Sequence, residues 1–162
     1  MAKKKTQKTS DDPLVNQINK KYGNIIESGS AVLASLENYE VIGISPALDI
    51  ALGGGLREGS CVVMTGDPKT GKTTTALYFA AKAQQKGKNV FYLNTEGRLT
   101  KENFRGIKDL DTDKIQIVQA TDAEPLVSAE TYLNTLETLI KNTPDLVAIV
   151  DSTSNMVPQD EL

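Results

Sequence analysis

The stretch GDPKTGKTT, Gly66 to Thr74, constrains the fold more than any other part of the chain. Gly66 and Gly71 bracket four residues, and Lys72 and Thr73 come directly after, so the phosphate-loop pattern Gly-x-x-x-x-Gly-Lys-Thr is complete. Such a loop requires a strand running in, a backbone curl that turns successive N–H groups inward, and a helix running out. The apolar run CVVM, Cys61 to Met64, is the expected buried strand, and a helix is expected from near Lys72 to Gly87. Lys72 offers a point charge to the outer phosphates of a bound group. The Thr73 hydroxyl suits Mg2+, a hard cation that prefers oxygen ligands. The candidate cradle is therefore Gly66, Asp67, Pro68, Lys69, Thr70, Gly71, Lys72, Thr73 and Thr74. A glycine-rich turn without a ligand is the competing reading, and both flanks weigh against it. Lys69, at the loop tip, reads equally as a phosphate contact or as an exposed lysine.

Around this loop, strand-like and helix-like segments alternate. NVFYLNT reads as a strand, LTKENFRGI as a helix, KIQIVQ as a strand, and DLVAIVD as a fully apolar strand buried on both faces. PLVSAETYLNTLETLIKN reads as an amphipathic helix with Leu126, Leu133, Leu136 and Ile140 on its stripe. Alternation of this kind implies a parallel α/β sheet with right-handed crossovers. Ahead of it, ISPALDIALGGGLREGSC suggests a short helix, a triple glycine at Gly53 to Gly55, and a turn at Arg57-Glu58-Gly59. Further upstream, PLVNQINKKYG has Leu14, Ile18 and Tyr22 at helical spacing, with Pro13 suited to the first turn and Gly23 to the stop. Three regions result: a disordered basic tail over 1–12, an N-terminal helix and connector over 13–40, and the core over 41–162. Lys3, Lys4, Lys5 and Lys8 in the tail could touch nucleic acid or simply be solvated.

Two acids fall at strand ends. Parallel strands all end on one edge of a sheet, so Asp151, at the end of LVAIVD, shares a rim with the phosphate loop. A carboxylate there can orient Mg2+, the Walker B role. It could instead cap a turn. Glu96 comes after FYLNT and reaches the same rim, where it could polarise an attacking water or sit in an exposed turn before Gly97.

Composition closes off other chemistries. The 162 residues contain no histidine, which excludes His-based metal sites and triads, and one cysteine, Cys61, which excludes an internal disulfide. Inside an apolar run, Cys61 is expected to be buried. A formal net charge of −3 gives no general nucleic-acid footprint. No apolar run approaches the ~20 residues of a membrane span, and no apolar segment backs the basic N-terminus, so no membrane partner and a cytoplasmic location are expected.

The residues IGISPALDIALGGGLREGSCVVMTGDPKTGKTTTALYFAAKAQQKGKNVFYLNTEG resemble the ATPase core of RecA-type strand-exchange recombinases. The lead-in S-x-x-LD-x-AL-GGG-L-x-x-G is more specific than the phosphate loop. LVAIVDS, with Ser152 after Asp151, resembles the family's Walker B strand. NMVPQDEL resembles the approach to its first DNA-binding loop, and QINKKYG the helix that packs on the next subunit of a filament. The phage recombinase branch is the subgroup suggested. The resemblance implies ATP and Mg2+ as cofactors, single-stranded DNA as a partner, and self-association into a filament that promotes strand exchange in DNA recombination and repair. It implies that Lys72 and the loop amides hold phosphates, that Thr73 and Asp151 hold Mg2+, and that Glu96 activates water. The sequence GRLTKENF after Glu96 departs from the family pattern, and Phe104 is the nearest candidate for stacking on adenine. A hexameric motor or clock-type ATPase of the same fold, and a non-hydrolysing nucleotide-binding or interaction fragment, remain as alternatives.

The resemblance also implies an incomplete sheet. In the family's strand order another strand lies between the phosphate-loop strand and the Walker B strand. It would come after Leu162, as would both DNA-binding loops and the residue that senses the γ-phosphate. The expected fold is thus an α/β, parallel-sheet P-loop NTPase core of RecA type, truncated after the Walker B strand and preceded by a short N-terminal helix. Two strands would then expose backbone donors, acceptors and apolar side chains across a gap, leaving the chain marginal on its own.

Overall fold

A computed structural model describes residues 12–36 and 39–162, and the chain divides into two compact units between Glu40 and Val41. The lysines of the basic tail lie outside the described residues. In the first unit, α1 spans Pro13–Tyr22. Asp12 caps it, its side chain accepting from the Leu14 N–H at 2.8 Å, and Pro13 occupies the first turn, where a missing N–H costs nothing. Lys20 and Lys21 stand in the last turn, favourable against the helix dipole, and Gly23 ends the helix at φ 85°. Asn19 brackets Ile26, its amide donating to the Ile26 carbonyl and its oxygen accepting from the Ile26 N–H. A second helix, α2, covers Gly29–Leu36, where the sequence suggested only a connector.

The second unit begins with the antiparallel pair β1 (Val41–Ile42) and β2 (Leu56–Arg57), joined through α3 (Pro46–Ala51). The triple glycine is a steric requirement here. Gly55 has φ +131°, and a Cβ on it would stand 2.4 Å from the Ile42 carbonyl oxygen. Asp49 locks the other side: its Oδ1 accepts from the Ile44 N–H at 2.7 Å, and Gly43 leaves room for the carboxylate.

The main sheet contains β3 (Asn89–Asn94), β4 (Ile115–Val118) and β5 (Leu146–Asp151), all parallel, in the order β4-β3-β5. Helices α4 (Lys72–Gln85), α5 (Lys101–Arg105) and α6 (Ala129–Asn142) connect and cover it. The core forms where α4 meets β3. Leu77, Ala80, Ala81 and Ala83 pack with Val90, Tyr92, Ile107 and Ile115. Three alanines on one face let the helix axis come close to the sheet. Lys88, at the foot of β3, bridges Glu58 and Asp145, tying the β2 turn to the entrance of β5.

Three sequence expectations fail in this unit. Cys61 to Met64 form no strand: Cys61 is exposed and Val63 is 80% exposed. A strand is stable only beside a hydrogen-bonding neighbour, and among the described residues none pairs with this segment. Second, β5 is not buried on both faces. Its residues are half-buried, with Ala148 exposed, because β3 flanks one side and no described strand flanks the other. Third, the inward row of α6 is Tyr132, Leu136 and Leu139, whereas Leu133 and Ile140 face solvent and Leu126 precedes the helix. Tyr132, Leu136 and Leu139 form an i, i+4, i+7 row, so the helix has turned a neighbouring face inward.

Leu77→Ala should lower unfolding stability by about 2–5 kcal/mol, because Leu77 is completely buried. Ile50→Ala, at a site 84% exposed, should stay within about 0.5 kcal/mol. Urea denaturation monitored by circular dichroism makes the comparison.

Candidate functional site

The segment Gly66–Gly71 curls over the start of α4. Lys69 and Gly71 take positive φ (66° and 91°), reversing the chain at the tip and just before the helix. Thr70 ties the curl, its hydroxyl donating to the Asp67 carbonyl at 2.8 Å. The Lys72 ammonium reaches back and donates to the carbonyls of Gly66 (2.8 Å) and Asp67 (2.9 Å). An ammonium has three N–H donors, so one is left for an incoming group. Gly71 is the N-cap of α4 and brings no side-chain hydrogen bond. The first-turn N–H groups of a 14-residue helix thus sit at its positive end without a capping side chain. An anion satisfies both conditions at once.

Beside the helix start lies Asp151. Thr73 Oγ1 donates to Asp151 Oδ2 at 2.7 Å, and the Tyr92 hydroxyl donates to the same oxygen at 2.5 Å. Burial raises the Tyr92 phenol well above its ordinary pKa, and the bond to the Asp151 carboxylate and its negative charge push the same way. Tyr92 is therefore a neutral donor at any working pH. Glu96 stands just beyond β3. Its N–H and that of Thr95 both donate to the Asp151 carbonyl, and Ser152 Oγ donates to Glu96 Oε1 at 3.3 Å. Thr73, Asn94, Glu96, Arg98, Leu99, Asn103 and Asp151 line one cleft of about 80 Å3, too small for a nucleoside.

Sequence reasoning singled out Lys72, Thr73, Glu96 and Asp151, and the last three line this common cleft, with Lys72 adjacent to Thr73. Asp67, Pro68, Lys69 and Thr70 lie on the exposed rim of the loop, and Thr74 is exposed on α4. Phe104 is half-buried and packs against the core, so its ring is engaged by apolar neighbours. The sequence pattern did not mark Tyr92, Asn94 or Arg98. A signal was present for two of them: Tyr92 and Asn94 alternate along an apolar strand that ends next to Glu96, so they share one face. Asn94 is buried and donates to Gln119 on the neighbouring strand's exit at 2.7 Å.

The donor set is all hard oxygen: the Thr73 hydroxyl and the Asp151 and Glu96 carboxylates. No group of three or more His, Cys, Asp or Glu suited to a metal exists among the described residues. Mg2+ keeps most of its waters and takes few protein ligands, so these oxygens fit it and would not fit an ion needing an all-protein cage. Thr73 spends its one proton on Asp151, which leaves its lone pairs for a cation.

A parallel sheet that brings two acids and a helix N-terminus to its C-terminal edge defines an α/β protein with a polar cleft at that edge. Residues 11–162 match the RecA N-terminal domain family, and the chain belongs to that family. It is similar to Protein RecA of Bifidobacterium breve, 34% identical over 161 residues, covering 96% of this chain and 38% of that protein. Protein RecA of Clostridium acetobutylicum is 30% identical over 154 residues, covering 93% of this chain and 42% of that protein. Protein RecA of Rippkaea orientalis is 28% identical over 151 residues, with 92% and 41% covered. The chain thus spans about two fifths of the length of these relatives.

Thr73→Val keeps the shape of residue 73 and removes one of the two donors to Asp151. Hydrogen bonds to charged groups contribute about 1.5–3 kcal/mol, so the variant should lose stability in that range without any ligand present. Urea titration of both proteins in EDTA provides the check.

Proposed function

We propose that the loop at Gly66–Thr74 and the neighbouring carboxylates form an ATP and Mg2+ site, and that the chain is the nucleotide-binding portion of a DNA-dependent ATPase of recombination and repair. The observation that carries this reading is the start of α4: a helix N-terminus with no capping side chain, an ammonium folded beside it, and a hydroxyl bonded to a strand-end carboxylate. Lys72 and the loop N–H groups hold the phosphates. Thr73 and Asp151 hold the cation, which when bound would neutralise charge on the terminal phosphates. Glu96, steadied by Ser152, orients water toward the γ-phosphate. ATP as the nucleotide, assembly as a filament on single-stranded DNA, strand exchange and a cytoplasmic location are supported by the family relationship. Among the described residues no helix is long and apolar enough to cross a membrane.

The side of β5 and the segment 61–65 that pair with no described strand support a further part of the same reading: one more strand pairs there in the working protein. A steep, cooperative thermal melt of the 162 residues alone, together with tight ATP binding, would sink that part.

ATP turnover is expected to rise when single-stranded DNA is added. Lys72→Ala should reduce it by at least about a hundredfold, the usual consequence of deleting a charge-stabilising donor. Glu96→Gln should bind ATP as tightly as the parent yet hydrolyse it about a hundredfold more slowly. Turnover that survives Lys72→Ala removes this site from the reading. Electron microscopy with ATP and single-stranded DNA should show filaments, and closed rings would favour a motor instead.

A further inference from the structure

We infer that Tyr92 is a positioning residue of the cation site, selecting which Asp151 oxygen faces outward; this rests on the nucleotide and Mg2+ reading above. Tyr92 lies at the centre of the middle strand, fully buried, with its hydroxyl 2.5 Å from Asp151 Oδ2. The pairing of β3 with β5 explains the reach. Asn94 stands opposite Asp151 and Tyr92 opposite Ile149, so the phenol and the carboxylate project from the same face of the sheet. A phenylalanine would fill the same apolar space between α4 and β3. The hydroxyl is thus not needed for packing, and it carries a polar atom into the core to meet this one acceptor.

Its effect comes from counting protons. Thr73 and Tyr92 each have a single O–H, and both donate to Oδ2. That oxygen is committed to the protein, and Oδ1 is left to face the cleft and accept from a water of a hydrated cation. With the phenol removed, Thr73 alone holds the carboxylate, from one side, and the group can rotate about its terminal torsion, which is broad for Asp. Tyr92 stands beside Thr73 and Asp151, the two residues read as holding the cation, so its contribution belongs to the cation rather than to the nucleotide. Groups that orient metal ligands in this way commonly change metal affinity by about 10–100-fold when removed.

The test is isothermal titration of Tyr92→Phe and the parent protein with ATP, once in MgCl2 and once in EDTA. Tyr132→Phe serves as control, because Tyr132 is the other buried tyrosine and lies on α6 away from the cleft. The expected result is a loss of about tenfold in ATP affinity for Tyr92→Phe in MgCl2, with affinity in EDTA unchanged and Tyr132→Phe matching the parent in both. Equal losses in both buffers would mark a merely structural role and overturn the inference, as would no loss in either. A parent protein whose ATP affinity is the same in MgCl2 and EDTA overturns the underlying cation reading instead. Should Tyr92→Phe fail to fold, the protein labelled with 3-fluorotyrosine and carrying Tyr132→Phe gives a second readout. Its one remaining buried fluorine resonance should shift when MgCl2 joins ATP, and a resonance that ignores MgCl2 overturns the inference.

Discussion

One oxygen of Asp151 joins three parts of the molecule. Thr73 reaches it from the start of α4, Tyr92 from the central strand, and Asp151 itself ends β5. In a parallel α/β protein the strand preceding a phosphate loop would ordinarily hold that loop against the sheet. Here the segment before Gly66 pairs with nothing described, so the loop is located by the helix on its C-terminal side. The alanine face of α4 fixes the helix on β3, and the Thr73–Asp151 bond fixes its rotation. The apolar contact sets distance, and the polar contact sets orientation. Neither could do both, since apolar burial is non-directional.

The free side of β5 explains why apolar segments lie in solvent. β3 has a strand on each side and contains Val90, Tyr92 and Leu93, all at 1% exposure or less. β5 has equally apolar residues and only one neighbour among the described residues, and none of them is fully buried. The same shortage of neighbours leaves Val62, Val63 and Met64 exposed. At roughly 25 cal/mol per Å2 of apolar surface, such residues contribute to folding only when something covers them. The relatives of this chain are more than twice as long as the part that matches it.

How legible this was in the sequence depended on whether a feature was local. The Pro13 start and Gly23 stop of α1, the α4 boundaries, the strand over 89–94 and the triple-glycine turn all obey short-range steric and hydrogen-bonding rules, and each was readable from a few adjacent residues. What failed was tertiary. Cys61 to Met64 have the composition of a buried strand, but composition cannot supply the neighbour a strand requires. The stripe read for α6 shares only Leu136 with the inward row, because Leu133 and Ile140 are as apolar as Leu139, and only the docked sheet chooses between them. For the site, the paired spacing of Lys72 and Thr73 was explicit, and the two strand-end acids came from parallel topology. Tyr92 was hidden because an aromatic in a strand reads as core, which it also is.

The register between β3 and β5 is what makes the two acids different from each other. Asn94 sits opposite Asp151, which puts the Asp151 side chain on the face shared with Tyr92 and α4. Glu96 comes two residues after Asn94, beyond the last pair of the ladder, where strand alternation no longer dictates direction. Asp151 is thereby held by hydroxyls from the protein interior. Among the described residues, Glu96 is tethered by its own backbone and by a long bond from Ser152. A slip of one residue would send Asp151 to the opposite face, away from Thr73, and would do so without changing any residue's identity. The two acids at this edge are thus unequally restrained, Asp151 by two side-chain hydroxyls and Glu96 by one long bond.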